Sequence, residues 1–500
     1  MSAARGDADV IVVGSGAGGG VAAARLSEDP DRRVLLLEAG PDFPWERTFP
    51  PLFAVSGERS WFPSGLPEFD WWLWNEPMAN GHRVRLPRGR LVGGSTMVNS
   101  TIAVWPADSD LDGWVRAGAT GWDPASLAPF RRRVETDLDR PDDPSHGHDG
   151  PIRIRRYRRT EWAPVNEAFV QAAVALGFRE HDDLNAPDAA AGVVGAWPHN
   201  RYKEERGGTL VTYLRGARPR PNLTIQGDTL VDRVLFDGDR ATGVRARVAG
   251  EWRELHADQV ILAAGVYGTP AILQRSGIGE PEDLAAAGVP ARTRLPVGRN
   301  LRDHPAVGHA FTSAPLSSVH GRLIATVLRS APDARGEPGV QVHPMPLDEE
   351  EGRCTLFIFL TRSDASGTVT IRSADPDAPP RIDHRYLTGT DDLRRFRDAW
   401  ALCHDLLATA PFRAAGARST APAVEEALAI GLVTAHHQSS SCRMGPADGS
   451  AVVDPRLAVH GTRGLMVADA SVFPDTIMHN PNLTTMLVGE VAAAIVRGER

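Results

Sequence analysis

Two groups of residues in this 500-residue chain have the type and spacing for chemistry. The first is Gly14-Ser15-Gly16-Ala17-Gly18-Gly19, followed 19 residues later by an acid, Glu38. Gly14 suits a tight turn, Gly16 lets a pyrophosphate approach the backbone, and Gly19 lets a helix pack closely on a strand. Glu38 falls where a carboxylate accepts hydrogen bonds from a ribose hydroxyl, and it would repel a 2′-phosphate, which disfavours NADP. The second group is His436-His437-Gln438-Ser439-Ser440-Ser441-Cys442-Arg443-Met444-Gly445. Its histidines and cysteine lack the spacing of a metal site, so no metal is expected. Its serines lack the Gly-x-Ser-x-Gly elbow of a hydrolase.

The elements that must position the first group are legible. Val10 to Val13 is a short β-branched run, as expected of a strand buried on both faces. The glycine turn follows, then a helix ending near Leu26, then a second buried strand, Val34 to Leu37, which ends on Glu38. Strand, glycine turn, helix, strand and acid together predict a dinucleotide site, with phosphates held at the helix amino terminus. This unit alone does not separate FAD from NAD.

Composition removes other classes. The chain has 55 Lys+Arg against 63 Asp+Glu, net −8, and Lys203 is its one lysine. Lys203 follows no phosphate-binding glycine loop, and Schiff-base chemistry would depend on that single amine. A net negative charge argues against a nucleic-acid partner. No run approaches the ~20 apolar residues of a membrane span. The first nine residues lack a basic region, so no leader peptide is expected. Three widely spaced cysteines suit reduced thiols, and a cytoplasmic protein is expected.

Four more segments stand out: Pro87 to Asn99, with a second glycine turn; Val260 to Gly279; Gly298-Arg299-Asn300-Leu301-Arg302-Asp303-His304; and the tail through Asp469-Ala470-Ser471 and Asn480-Pro481-Asn482-Leu483-Thr484. With the amino-terminal fingerprint and the His437 segment, the chain resembles the glucose–methanol–choline (GMC) oxidoreductases over nearly its whole length. The resemblance implies an α/β fold: a doubly wound, Rossmann-like FAD-binding domain with a second α+β substrate domain built on an antiparallel sheet. It implies FAD along Gly93, Gly94, Ser95 and Asn99, a backbone contact from Val231 to the adenine, and further contacts at Gly265, Asp469, Ala470 and Thr484. Some family members attach FAD through a histidine near residue 96. This chain has Thr96, Met97 and Val98 there, so non-covalent FAD is expected. A helix from Asn482 would point its positive dipole end at the flavin.

The resemblance also implies the catalytic pair. Alcohol oxidation by a flavin needs a group to accept the hydroxyl proton and another to stabilise the developing alkoxide. Counting back from Arg443-Met444-Gly445 selects His437 as proton acceptor, and the Asn-Pro segment selects Asn480 as the alkoxide-orienting donor. Two neighbours compete for these roles. His436 would point the opposite way if the stretch is extended, and His479 would replace Asn480 if the register slips by one. The chain departs from the family's usual Pro at Gln438 and usual Gly-Thr at Ser440-Ser441. The implied reaction is oxidation of a small-molecule alcohol, with oxygen or another electron acceptor completing the cycle. A flavin-containing cyanohydrin lyase is the alternative within the family.

The expected division is 1–150, 200–310 and 437–500 for the FAD-binding domain, and 151–199 and 311–436 for the substrate domain. Strands are expected at 339–343, 354–360 and 368–372, and an amphipathic helix at 391–407 with Cys403 in the core. Gln341 and His343 share one strand face and are candidates to meet substrate. The aromatic group Trp61, Phe62, Phe69, Trp71, Trp72, Trp74 is read first as packing and second as an apolar mouth. Choline-like, sugar, aryl and aliphatic alcohols all suit the sequence, and no acid or aromatic cage for a cation is legible.

Overall fold

The structure is a computed structural model that describes residues 7–44, 67–202, 205–318, 324–332, 339–389 and 391–500. Lys203, Trp61 and Phe62 lie outside the described residues. Five short strands form a wholly parallel sheet in the order 223–226, 34–37, 10–13, 259–262, 465–467. Val10–Val13 and Val34–Leu37 are buried at every position, as a parallel sheet covered on both faces requires. The strand order reverses beside Val10–Val13, which puts a crevice at the carboxyl ends of the central strands.

The helix Ala17–Leu26 lies close against this sheet. A Cβ on Gly19 would sit 1.9 Å from the Gly14 carbonyl oxygen, and one on Gly18 would sit 1.8 Å from that of Ala468. The carboxy-terminal helix Asn482–Val496 packs on Ala17–Leu26, and a Cβ on Gly489 would lie 2.4 Å from the Gly18 oxygen. Leu483, Met486, Leu487 and Val491 are buried along it. An antiparallel meander, 229–237, 240–248 and 251–256, links the strand at 223–226 to the one at 259–262.

A second sheet of eight strands faces the crevice. Its central strands are Pro305–Thr312, Arg353–Leu360, Val340–Asp348 and Thr326–Arg329, all antiparallel. The strand at 305–312 therefore belongs to this sheet, ahead of the boundary expected at 310. Strand 198–202 pairs instead with 152–156 in a separate sheet. In the large sheet, direct pairing puts Ala306, Phe359, Gln341, Arg329 and Val193 in one row across a face. Gly308, Phe357 and His343 form the next row on the same face. The expected strand at 368–372 is shorter, Thr368–Thr370. Helix Asp392–Leu407 buries Phe396, Trp400, Cys403 and Leu407. No helix among the described residues is long and apolar enough to cross a membrane.

A buried ionic cluster ties the 135–150 segment to the remainder. His146 Nδ1 lies 3.1 Å from Glu135 and Nε2 lies 3.0 Å from Asp183, while Arg156 bridges Asp137 and Asp183. Burial disfavours the imidazolium, yet hydrogen bonds to Asp183 and Glu135 and their charges lift His146 to about 10. A raised imidazole pKa stabilises the fold fully below the ordinary value of ~6.5, and that contribution is lost as pH rises through the folded value. The thermal advantage of the native protein over His146→Gln should therefore shrink between neutral pH and about 10. A difference that stays constant across that range in paired melting curves would contradict the assignment.

Candidate active site

One cavity of about 590 Å³ runs from Glu38 and Val231 at the parallel sheet to His437 and Asn480 under the large sheet. Gly14, Gly16, Gly94, Ser95, Asn99, Gly265, Asp469 and Ala470 also line it. Gly19, Gly93 and Thr484 do not: Gly19 serves helix packing, Gly93 N donates to Ser15 Oγ, and Thr484 is buried within the last helix. Glu38 is held in place by Ser15 N and Oγ and by Gly40 N. Burial raises its pKa, and those donors pull it back. Asp469 accepts from Gly265 N, Thr269 Oγ1 and Ser471 N, so it fastens two loops at the crevice.

His437 and Asn480 come together although 43 residues separate them. Asn480 Nδ2 is 2.8 Å from His437 Nε2. Behind it, His437 Nδ1 is 2.9 Å from His304 Nδ1, and His304 Nε2 is 3.2 Å from Thr476 Oγ1. Donation by the amide to Nε2 assigns the His437 proton to Nδ1, which donates to His304. That histidine then donates through Nε2 to the threonine. The 298–304 segment stands out in the sequence, but nothing in it assigns a role to Asp303 or His304. Asp303 Oδ1 accepts from His437 N, and Oδ2 accepts from Tyr386, Thr434 and Gln438. The signal was present in Asp303-His304 itself; the partner, 133 residues away, was not legible.

Of the two competing residues, His436 lines the cavity beside His437 and His479 does not. His436 has φ +65°, so the alternation expected of an extended stretch fails there, and its carbonyl accepts from Arg88 Nη2. His479 turns toward the large sheet, where Gln341 Nε2 donates to its Nδ1 at 2.8 Å and to Met478 O at 3.1 Å. Gln341 is thus a fastener between the sheet and the 478–480 loop, and not a free substrate contact. Gln438 replaces the family's usual proline and uses its amide to bind Asp303 and Thr434. Ser440 has φ +74°, the region that favours the glycine usual at this position.

The first reading of the aromatic group as packing fails for two members. Trp71 and Trp72 line the cavity and stay exposed, with Arg90 and Arg85 over their rings. Phe69 packs against Phe43.

The cavity fits an extended dinucleotide. Its length joins Glu38 to the imidazole of His437. Buried Asn480 Oδ1, Asn482 Nδ2 and Gln438 Oε1 have no protein partner, and leaving such atoms unsatisfied costs ~1–3 kcal/mol each. A Cβ on Gly16 would meet nothing within 4 Å, so the backbone there faces open space. The last helix presents its amino terminus to the cavity at Pro481, Asn482 and Thr485.

Two family profiles described as GMC oxidoreductase match residues 8–306 and 363–489. The chain belongs to this family. It is an FAD-dependent oxidoreductase of the kind that acts on CH–OH donors. An oxygen-dependent choline dehydrogenase of Escherichia coli K12 is 32% identical over 98% of this chain and 96% of its own length. The crystal structure of pyridoxine 4-oxidase from "Mesorbium loti" superposes with a TM-score of 0.90 at 28% identity, covering 99% of this chain and all of that one. Formate oxidase from Aspergillus oryzae shares the fold, with a TM-score of 0.88 at 24% identity over 100% of this chain and 99% of that one.

Burial drives the His437 pKa well down, helped by His304, His436, Arg88 and His343, and burial takes His304 down to about 4. Both rings are therefore neutral at ordinary pH. The acid limb of the rate of flavin reduction should lie below the ordinary imidazole value of ~6.5. A limb at or above that value in a pH series would contradict this electrostatic account. His304→Ala should lower kcat with little change in KM, since it removes the partner of Nδ1 and no cavity wall; a pure KM effect would exclude a positioning role.

Proposed function

We propose that this chain oxidises an alcohol to its carbonyl compound using non-covalent FAD, with His437 as proton acceptor and Asn480 as donor to the reacting oxygen. The 2.8 Å approach of Asn480 Nδ2 to His437 Nε2 at one end of the dinucleotide-sized cavity carries the reading. An alcohol oxygen placed against both atoms would give its proton to Nε2 and receive a hydrogen bond from the amide as negative charge develops. FAD, when bound, supplies the two-electron acceptor for the hydride leaving the carbinol carbon. Low basicity keeps His437 neutral and able to accept at pH 7. The His304–Thr476 chain holds the ring by its other nitrogen, and Asp303 holds its backbone.

Gly14, Gly16, Glu38, Gly94, Ser95, Asn99, Val231, Gly265, Asp469 and Ala470 would surround the cofactor. Gly19, Gly93 and Thr484 would support it from behind. Thr96, Met97 and Val98 are buried and offer no imidazole, and Thr96 Oγ1 is already engaged with Gly93 O and Thr209 N. This supports non-covalent attachment. The parallel sheet, with its meander and the last helix, would form the FAD-binding domain. The large sheet, from residue 305, would form the substrate domain. Reoxidation by oxygen or another electron acceptor completes the cycle.

Anaerobic bleaching of the flavin by a panel of alcohols tests the reaction. His437→Ala should keep its FAD and reduce it ~10²–10⁴-fold more slowly, and Asn480→Ala ~10²–10³-fold more slowly. Wild-type rates in His437→Ala would remove it from the mechanism. Acid precipitation should leave the yellow colour in the supernatant; a yellow pellet would contradict non-covalent binding.

A further inference from the structure

One segment of the cavity wall combines strained backbone with a buried cation behind it. Thr101 has φ +59°, a left-handed conformation that a β-branched residue holds only where its surroundings enforce it. Thr101 N donates to Asn99 Oδ1 at 3.0 Å, Thr101 O accepts from Asn200 N at 2.7 Å, and Thr101 Oγ1 lies 3.1 Å from His199 Nδ1. Thr101 is buried, while Asn99, Ser100 and Ile102 on either side of it line the cavity. A Cβ on Gly94 would lie 3.0 Å from Gly16 Cα, at the glycine turn, and Ile102 packs in one cluster with Val327 of the large sheet. Asn99 therefore stands between the glycine turn and the large sheet.

The strand pair 198–202 and 205–206 backs this segment and carries Arg206. Arg206 is 2% exposed. Its Nη1 donates to both oxygens of Asn99, the carbonyl and, at 3.0 Å, Oδ1. Its Nε is buried with no acceptor. Burial takes the guanidinium down to about 10, so it is a cation at neutral pH. A buried cation is costly to keep, and among the described residues Asn99 is what this one holds.

A guanidinium and a backbone N–H can only donate, so the Asn99 side-chain atom that meets both is the amide oxygen. That fixes the orientation of the amide. Nδ2 is its other arm, and among the described residues it has no protein partner. The arm left over is a hydrogen-bond donor, on a side chain that lines the cavity.

We propose that Arg206 is a positioning residue for the cofactor: it holds the Asn99 amide with Nδ2 turned to the cavity, where Nδ2 donates to FAD. The inference rests on the reading of this cavity as the FAD site and deepens it. Without Arg206 the amide is free to turn and to offer FAD an oxygen in place of a donor.

Release of FAD from the diluted holoenzyme, followed by the fluorescence of the freed flavin, tests it without any alcohol. Asn99→Ala should release FAD about tenfold faster than the native protein, the worth of one hydrogen bond. Arg206→Met should speed release to a similar extent. The double variant should release FAD no faster than Asn99→Ala alone, because Arg206 acts through Asn99. Multiplied effects in the double variant would make Arg206 a general structural residue and overturn the proposal. Native release from Asn99→Ala would remove Asn99 from the cofactor, and its place in the FAD reading would fail too. Faster release from Asn99→Ala with native release from Arg206→Met would keep that reading and overturn the role of Arg206 alone. If Arg206→Met does not fold, Arg206→Lys, whose ammonium stops short of the Nη1 position, carries the same cycle. Its faster release should vanish in the Asn99→Ala background, and an equal effect in both backgrounds would overturn the proposal.

Discussion

The active site is assembled on one buried carboxylate. Asp303 is 5% exposed, and burying an acid is costly unless donors surround it. Here Tyr386, Thr434, Gln438 and the backbone of His437 all donate to it. These donors come from two stretches, Tyr386 and 434–438, both distant from Asp303 in sequence, so satisfying one carboxylate fixes the mutual positions of all three. Burial pushes the Asp303 pKa up, while the hydrogen bonds of Thr434 and Tyr386 and the charge of Arg88 oppose that shift. The loop that carries His437 also contains two residues at positive φ, His436 and Ser440. Asp303 supplies the fixed point against which that unusual backbone is held.

From this point the geometry propagates in two directions. One is through His304, adjacent to Asp303, which meets His437 at Nδ1 and leaves Nε2 for Asn480 and the cavity. The other is through the strand that begins at Pro305, which starts the large sheet. The partner of the His437 ring and the first strand of the large sheet are thereby built from consecutive residues. On the opposite side, Asp469 ties the Gly265 turn to the tail that leads to Asn480. The last helix then closes on the glycine-rich helix at a separation only glycines allow. The cavity and the His437–Asn480 pair are held by two carboxylates whose partners are almost all local to the site.

Much of the fold is legible in sequence because its signals are local. Val10 to Leu37 contains strand, turn, helix and acid within one short segment, and parallel-sheet strands read as continuous apolar runs. The helix at 392–407 follows from the spacing of Phe396, Trp400, Cys403 and Leu407. What was not legible depends on contacts between distant residues. His304 meets His437 only after the chain has crossed the large sheet and returned. The alternation argument for His436 fails because its backbone is left-handed, which no residue type there announces. Gln341 and His343 share a face as expected, but only the folded sheet shows that one is bound to His479 and the other has no partner. Trp71 and Trp72 look like packing by composition and are cavity wall by position.

The account stands or falls on transfer of hydride from carbon with His437 taking the oxygen-bound proton. The most direct measurement is anaerobic stopped-flow reduction of the holoenzyme by an alcohol deuterated at the carbinol carbon, in native protein and in His437→Ala. The account predicts a primary deuterium effect on flavin bleaching in the native protein, and much slower bleaching in the variant at undiminished FAD content. Bleaching that is insensitive to carbinol deuterium under saturating alcohol, together with a native rate in His437→Ala, would contradict it.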